Sequence, residues 1–180
     1  MKKNILIIIL LFLIFCFFIG NLNRKTPERK VREYFNEYQT LSQRAIKHIN
    51  LLVSNEESLT SSQKEKYRNV LKKHYTNLKY RIKDEKIVND KAIVFAEIEV
   101  KNNIKALKNA EYKKNNFIDN SGNLSLEKFN NYRINLLNNE KSTIKYEISF
   151  NLHVKNNKWV INKISDTTKA KMLGIYNEYI

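Results

Sequence analysis

The sequence predicts an α+β domain: a curved antiparallel sheet of about four strands in two hairpins, packed against N-terminal and inserted helices. Three patterns carry this expectation. From Ile144 to Val154 apolar residues occupy every second position, the period of a strand with one buried face. Ala92, Val94, Ala96, Ile98 and Val100 repeat that alternation. Val31, Tyr34, Phe35, Tyr38, Leu41, Ala45, Ile49 and Leu52 fall instead at helical spacing, a stripe that reads as core packing. Helical runs placed before antiparallel hairpins put the helices on one face of the sheet.

At the N-terminus Lys2 and Lys3 precede an unbroken apolar run, Ile5 to Ile19. A positive start and an apolar core have the order of an export signal. The run is at the short limit of the roughly 17 to 25 residues that a spanning helix needs. The expected division is an anchor or signal segment over 1–22, a linker over 23–26 and one domain over 27–180. Phe15, Phe17, Phe18 and Ile19 are bulky where signal cleavage needs small residues, which favours an uncleaved anchor. Cleavage near Gly20 and lipidation at Cys16 are the alternatives, the latter with Phe15 where a lipobox has a small residue. Lys2 and Lys3 favour a cytoplasmic N-terminus, against Arg24, Lys25, Arg29 and Lys30. The expected localisation is the cell membrane, single-pass, with the domain from Thr26 onward outside the cytoplasm and Ile5–Ile19 as the membrane contact.

The domain starts with Thr26 as N-cap and Pro27 at the first helical position, opening one long helix that ends near Val53. Ser62 with Glu65, or Thr60 with Gln63, forms a capping box for a second helix. Its inward residues are Tyr67, Val70, Leu71, His74 and Tyr75, with His74 at the negative end of the helix dipole. Leu78, Tyr80 and Ile82 alternate with Lys79, Arg81 and Lys83 to give the first strand. A three-residue turn over Val88 to Asp90 places Tyr80 opposite Ile98 and Ile82 opposite Ala96. It also places Arg81 opposite Glu97 and Lys79 opposite Glu99, so both faces match at once.

A helix is expected from Asn103 to Lys114, with Ile104, Leu107 and Glu111 or Tyr112 on one side. Asp119, Ser121 and Asn123 have a calcium-loop flavour. Leu124 and Asn130 stand where that loop needs glycine and a bidentate Glu, which excludes it. Ser125 caps a further helix carrying Leu126, Phe129, Tyr132 and Leu136. The second hairpin turns on Asn156-Asn157, which tolerate positive φ. That turn sets Val154 opposite Trp159 and Leu152 opposite Ile161 on the core side. The other side pairs His153 with Val160 and Asn151 with Asn162. Ser165-Asp166 starts a last short helix that Gly174 stops, and Ile175, Tyr176, Tyr179 and Ile180 form a tail expected to dock on the body.

The chain has 180 residues, a net charge of +15 and 42% hydrophobic residues, enough for one cored domain plus extras. The lysines are spread and interleaved with acids, so nucleic acid is not the expected partner. With Cys16 the one cysteine, the domain has no internal disulfide and no thiolate metal site. No phosphate loop, HExxH, CxxC or GxSxG occurs. His48, His74 and His153 lie on three different elements. A pairing of His153 with Asp84 or Glu147 supplies no nucleophile, orienter or oxyanion site. No catalytic residue, metal ligand or cofactor is expected. The candidate ligand or partner surface is His153, Asn151, Asn162 and Val160. Tyr80 and Tyr146 are counted with it, and their convergence with His153 in an enclosed polar pocket would favour a ligand-binding or enzymatic role.

The stretches LKYRIKDEKIVNDKAIVFAEIEV and TIKYEISFNLHVKNNKWVINKIS, after an apolar leader and two helices, resemble the cystatin-like, nuclear-transport-factor-two-like superfamily. The likeness is to its small exported or membrane-anchored bacterial members and runs from Thr26 to about Ile175. It implies helices over one face of a curved sheet, and a function as varied as that superfamily: enzymes, ligand carriers and scaffolds. No matched catalytic set carries over. The expectation is a membrane-anchored, extracytoplasmic binding or assembly module without catalysis. The alternatives are a scaffold subunit of a type IV secretion or conjugation apparatus, which resembles this arrangement, and a small-ligand-binding or enzymatic protein using the cone.

Overall fold

The computed structural model describes residues 26–177. They form six α-helices, α1 (Pro27–Gln39), α2 (Gln43–Ser54), α3 (Ser61–Thr76), α4 (Asn103–Tyr112), α5 (Leu126–Asn139) and α6 (Asp166–Met172). Four strands, β1 (Lys79–Val88), β2 (Lys91–Lys101), β3 (Thr143–Lys155) and β4 (Lys158–Ile161), pair antiparallel in the order β1-β2-β3-β4. The class is α+β with a four-stranded antiparallel sheet.

The even-numbered residues of β2 and β3 point to the helices. Val94 stands opposite Phe150, Ile98 opposite Tyr146 and Ala92 opposite Leu152. All are buried against Val31, Phe35, Ile49, Leu71 and Tyr75 from α1, α2 and α3. Each large apolar side chain removed from water contributes about 1.5 to 3 kcal/mol, so this face is the main source of stability. Phe35 anchors it, meeting Phe150 edge-on at 5.4 Å and stacking on Tyr80 at 4.3 Å.

The expected long first helix is two helices. Leu41 takes φ 54°, and the Ser42 hydroxyl caps α2 by accepting from the Ala45 amide at 3.5 Å. A straight helix over both segments would run about 40 Å. The break folds α2 back beside α3, where Arg68 reaches Asn50 and Tyr75 meets His48. The capping box of α3 is the Thr60–Gln63 one, with both reciprocal bonds formed.

In the first hairpin the expected pairs form: Tyr80 with Ile98, Ile82 with Ala96, Arg81 with Glu97 and Lys79 with Glu99. The expected three-residue turn does not. Val88 pairs with Lys91 around a two-residue turn, Asn89-Asp90, and the register shifts at a bulge between Ile82 and Asp84. The extra residue, Lys83, supplies the odd offset that was assigned to the turn. A bulge also flips every residue after it to the other face. Glu85 thereby turns to the helix side, where its carboxylate accepts from the Glu28 amide at the start of α1, 3.1 Å away. Asp84 pairs with Phe95 on the outer face instead of meeting the core.

Between β2 and β3, α4 and α5 build a second core with α3: Leu59, Val70, Ala106, Ile134 and Leu137. The inward face of α4 is Asn103, Ala106 and Ala110, not the Ile104–Tyr112 side, and Tyr112 is 83% exposed. Two alanines let α4 approach its neighbours closely, and tertiary packing outweighs the larger side chains. Likewise α5 turns Phe129, Asn130, Ile134 and Leu137 inward and leaves Leu126 exposed. The Ser125 hydroxyl makes no capping bond; its backbone amide donates to Phe117 O at 2.8 Å. Asp119 spends one carboxylate oxygen on the amides of Ser121 and Asn123, both at 2.9 Å.

The second hairpin has the expected register, with Asn156 and Asn157 at φ 51° and 59°. Its return strand ends at Ile161 rather than Ile164. The chain then caps α6 through Ser165 and crosses the β2–α4 junction. There Gly174 donates nothing bulky: at φ 66° its carbonyl accepts from the Ile104 amide at 2.8 Å.

The expected anchor, Ile5–Ile19, lies outside the described residues, as do Tyr179 and Ile180. Among the described residues no helix is long and apolar enough to cross a membrane. The longest, α3, has 16 residues and carries Lys64, Lys66, Arg68, Lys72 and Lys73. The expected single-pass membrane localisation is corrected on that ground.

A Cβ on residue 174 would overlap the Lys101 carbonyl oxygen. Gly174→Ala is therefore expected to cost about 2 to 4 kcal/mol, from left-handed backbone strain plus the clash. Denaturant titration will show this as a lowered midpoint with an unchanged slope.

Candidate functional site

The outer face of the sheet is built from the odd-numbered residues of β2 and β3. The register sets Ile93 beside Asn151, Phe95 beside Ser149, Lys91 beside His153, and Val160 on the far side of His153. Among the described residues no helix covers this face, and Ile93 is 38% exposed. His153 Nδ1 lies 2.6 Å from Asn162 Oδ1, so the ring donates from Nδ1 and the Asn162 amide turns toward it. The Asn162 backbone N–H donates to Asn151 O at 2.8 Å and extends the hairpin by one pair. Four of the candidate residues, His153, Asn151, Asn162 and Val160, thus share one patch.

Farther along the same face, Glu97 is shared by three cations: Lys83 at 3.3 Å, Lys145 at 3.5 Å and Arg81 at 3.7 Å. The hydrogen bond from Lys83, then the surrounding positive charge, hold its carboxyl below the usual range. A depression of about 470 Å³ is lined by Lys83 of this cluster together with Asp84, Lys86, Phe95, Glu147 and Ser149. Lys86 Nζ sits 5.8 Å from the Phe95 ring centre.

Tyr80 and Tyr146 do not join the patch, because both belong to the helix-covered face. Tyr80 is stacked on Phe35 and donates to Asn36 Oδ1 at 3.1 Å. Tyr146 is 5% exposed and donates to Tyr176 O at 2.8 Å, which docks the expected tail. His153 and Glu147 stand six residues apart on one strand, about 20 Å, and Asp84 is paired with Phe95. No His–carboxylate pair arises from these residues.

Three features were not foreseen. A cleft of about 660 Å³ separates α3 from α5, lined by Lys66, Asn69, Lys73, Asn131, Asn135 and Asn138. It adjoins a second, of about 470 Å³, that Lys79 and Lys101 line. Burial, then the neighbouring charge of Lys73, lowers the Lys101 pKa. The Asn131, Asn135 and Asn138 spacing is one helical face, the one signal in the sequence that marked this cleft.

The second feature is a buried polar node. His74, 2% exposed, lies with Nε2 2.8 Å from Met172 O. Asn103 Nδ2 donates to His74 Nδ1 at 3.2 Å and to Leu173 O at 2.8 Å. The Met172 carbonyl only accepts, so neutral His74 carries its proton on Nε2 and presents Nδ1 as an acceptor to the Asn103 amide nitrogen. Desolvation lowers the His74 pKa against the opposing bond to Met172 O, so the ring is neutral rather than a cation at the dipole end. The third is phenol burial: Tyr34 and Tyr75 are pushed far above their ordinary value, chiefly by desolvation.

Among the described residues no three His, Cys, Asp or Glu side chains are grouped to hold a metal ion. No family model matches the chain, no curated protein matches it, and no solved structure matches it.

The node sets a pH dependence. An unfolded His74 takes up a proton near 6.5 and the folded one resists until lower pH. The unfolded state then binds more protons, so stability falls as pH drops through 6.5 toward the lowered folded value. Half-buried His48, also lowered by desolvation, adds in the same direction. Denaturant midpoints are expected to fall from pH 7.5 to pH 5, and His74→Gln to flatten that fall while lowering the midpoint at pH 7.5. An unchanged pH profile in the variant would contradict the assignment.

Proposed function

We propose that this chain is a binding or assembly module without catalytic activity, which engages a protein partner through the outer face of its sheet. The observation that carries the reading is an uncovered patch of Ile93, Phe95 and Val160 among His153, Asn151 and Asn162, on strands whose opposite face is fully packed. Apolar groups left on a uniformly paired sheet, with hydrogen-bonding side chains between them, suit protein contact. Lys86, Lys91, Lys155 and Lys158 border the patch, so an acidic partner surface complements it. The resemblance to the cystatin-like, nuclear-transport-factor-two-like superfamily belongs to this proposal. Its support is the four-stranded antiparallel sheet with helices on one face. A cone-type ligand site would need Tyr80 and Tyr146 free to reach a ligand, and both hydroxyls are engaged within the fold.

A photoreactive side chain placed at Ile93 is expected to capture a discrete partner in extracts of the source cell. The same probe at Leu51, exposed on α2, should not. Phe95→Glu should cut the Ile93 yield about fivefold or more, corresponding to roughly 1 kcal/mol of lost contact. Equal capture from both positions, or no effect of Phe95→Glu, would remove the sheet face as the site. A crosslinked dimer would identify the partner as a second copy.

A further inference from the structure

A cavity of about 140 Å³ lies behind the polar node, between α3, α4, α5 and the C-terminal chain. Its wall is apolar: Val70, Leu71, Leu107, Leu137 and Leu173 line it. Its rim is the ion pair of Arg133 with Glu56, at 2.7 Å and with side chains 23% and 31% exposed. Two polar groups belong to the wall itself, Tyr67 and Asn103. Asn103 is 4% exposed and lines the cavity. Its Nδ2 is fully used on His74 and Leu173, and its Oδ1 is buried with no hydrogen-bond partner.

An unsatisfied buried acceptor costs free energy that a donor entering the cavity recovers. The amide cannot flip to relieve it, because Nδ2 already faces two acceptors. An apolar cavity of about 150 Å³ accommodates a benzene ring. We infer that this cavity is a binding site for a small, neutral, phenol-sized molecule: one ring or its equivalent in carbon, carrying a single O–H or N–H donor. The donor meets Asn103 Oδ1 and the carbon body fills the space between Leu107 and Leu137. The Glu56–Arg133 pair and Ile175, which is 37% exposed, lie where the lining reaches solvent and form the point of entry. A charged ligand is disfavoured, since the wall behind that pair offers only neutral polar groups, Asn103 Oδ1 and the Tyr67 hydroxyl, and no counter-charge. This inference is independent of the sheet-face reading, for it concerns the opposite side of the molecule.

Phenol and benzene, titrated separately into the full chain and followed by amide NMR shifts, test it. Phenol is expected to give saturable shifts centred on Asn103, Leu107 and Leu137. Benzene is expected to bind the same amides about tenfold more weakly, the factor equivalent to ~1.4 kcal/mol for one hydrogen bond. Leu107→Phe, a change at the half-buried rim that fills the cavity, should abolish phenol shifts while thermal melting shows a folded protein. Equal affinity for the two probes would eliminate Asn103 as the polar anchor. Phenol binding that survives Leu107→Phe would place the site elsewhere. Absence of saturable shifts with either probe would overturn the site altogether.

Discussion

One neutral asparagine joins the two halves of this molecule. Asn103 opens α4 directly after β2, and its amide grips His74 at the end of α3 and the Leu173 carbonyl of the returning C-terminal chain. His74 answers by donating to Met172 O. Three segments far apart in sequence thereby meet where the sheet ends and the inserted helices begin. The geometry works because the ring is uncharged. An imidazolium there would set its Nδ1–H donor against the Asn103 amide nitrogen, itself a donor, and would place a cation in an apolar surround. Gly174 completes the junction, since the chain passes so close to Lys101 that no side chain fits.

The two cores on either side of this junction differ in kind. The sheet core is made of large alternating residues and aromatic contacts around Phe35 and Phe150. The helical one rests on Ala106 and branched residues and leaves a cavity. Packing is less complete where α4 and α5 meet α3, and the unpartnered Asn103 oxygen lies there too. The outer sheet face has a third character. Its charges are paired across strands around Glu97, and its apolar residues collect at the β4 end. Exposed pairs of this type contribute some tenths of a kcal/mol each, so they organise the surface more than they stabilise the fold.

Parts of the candidate site were readable in the sequence. Period-two alternation and the Asn156-Asn157 turn determine which residues of β3 and β4 share a face, so His153, Asn151, Val160 and Asn162 could be grouped without coordinates. The same alternation puts Tyr80 and Tyr146 on the opposite face. Only the packed helices show that their hydroxyls end on Asn36 and Tyr176. Of the helix-lined cleft only the Asn131, Asn135 and Asn138 face of α5 was legible, and of the Asn103 cavity nothing, because each draws its walls from elements separated by long stretches of chain.

Local patterns therefore decided the class, the strand faces, the Thr60 cap and the second hairpin, all features set by neighbouring residues and short-range sterics. Tertiary structure decided what local patterns leave degenerate. An odd register in β1 and β2 arises equally from a three-residue turn or from a two-residue turn with a bulge. The bulge at Lys83 is the form that brings Glu85 to the Glu28 amide of α1 and keeps Asp84 out of the core. A continuous stripe from Val31 to Leu52 fits one helix or two, and the break at Leu41 is the form that packs α2 on α3. The inward faces of α4 and α5 follow the same logic. Burial is settled by which surfaces meet, and on α4 the surface that meets its neighbours is the one with the smallest side chains.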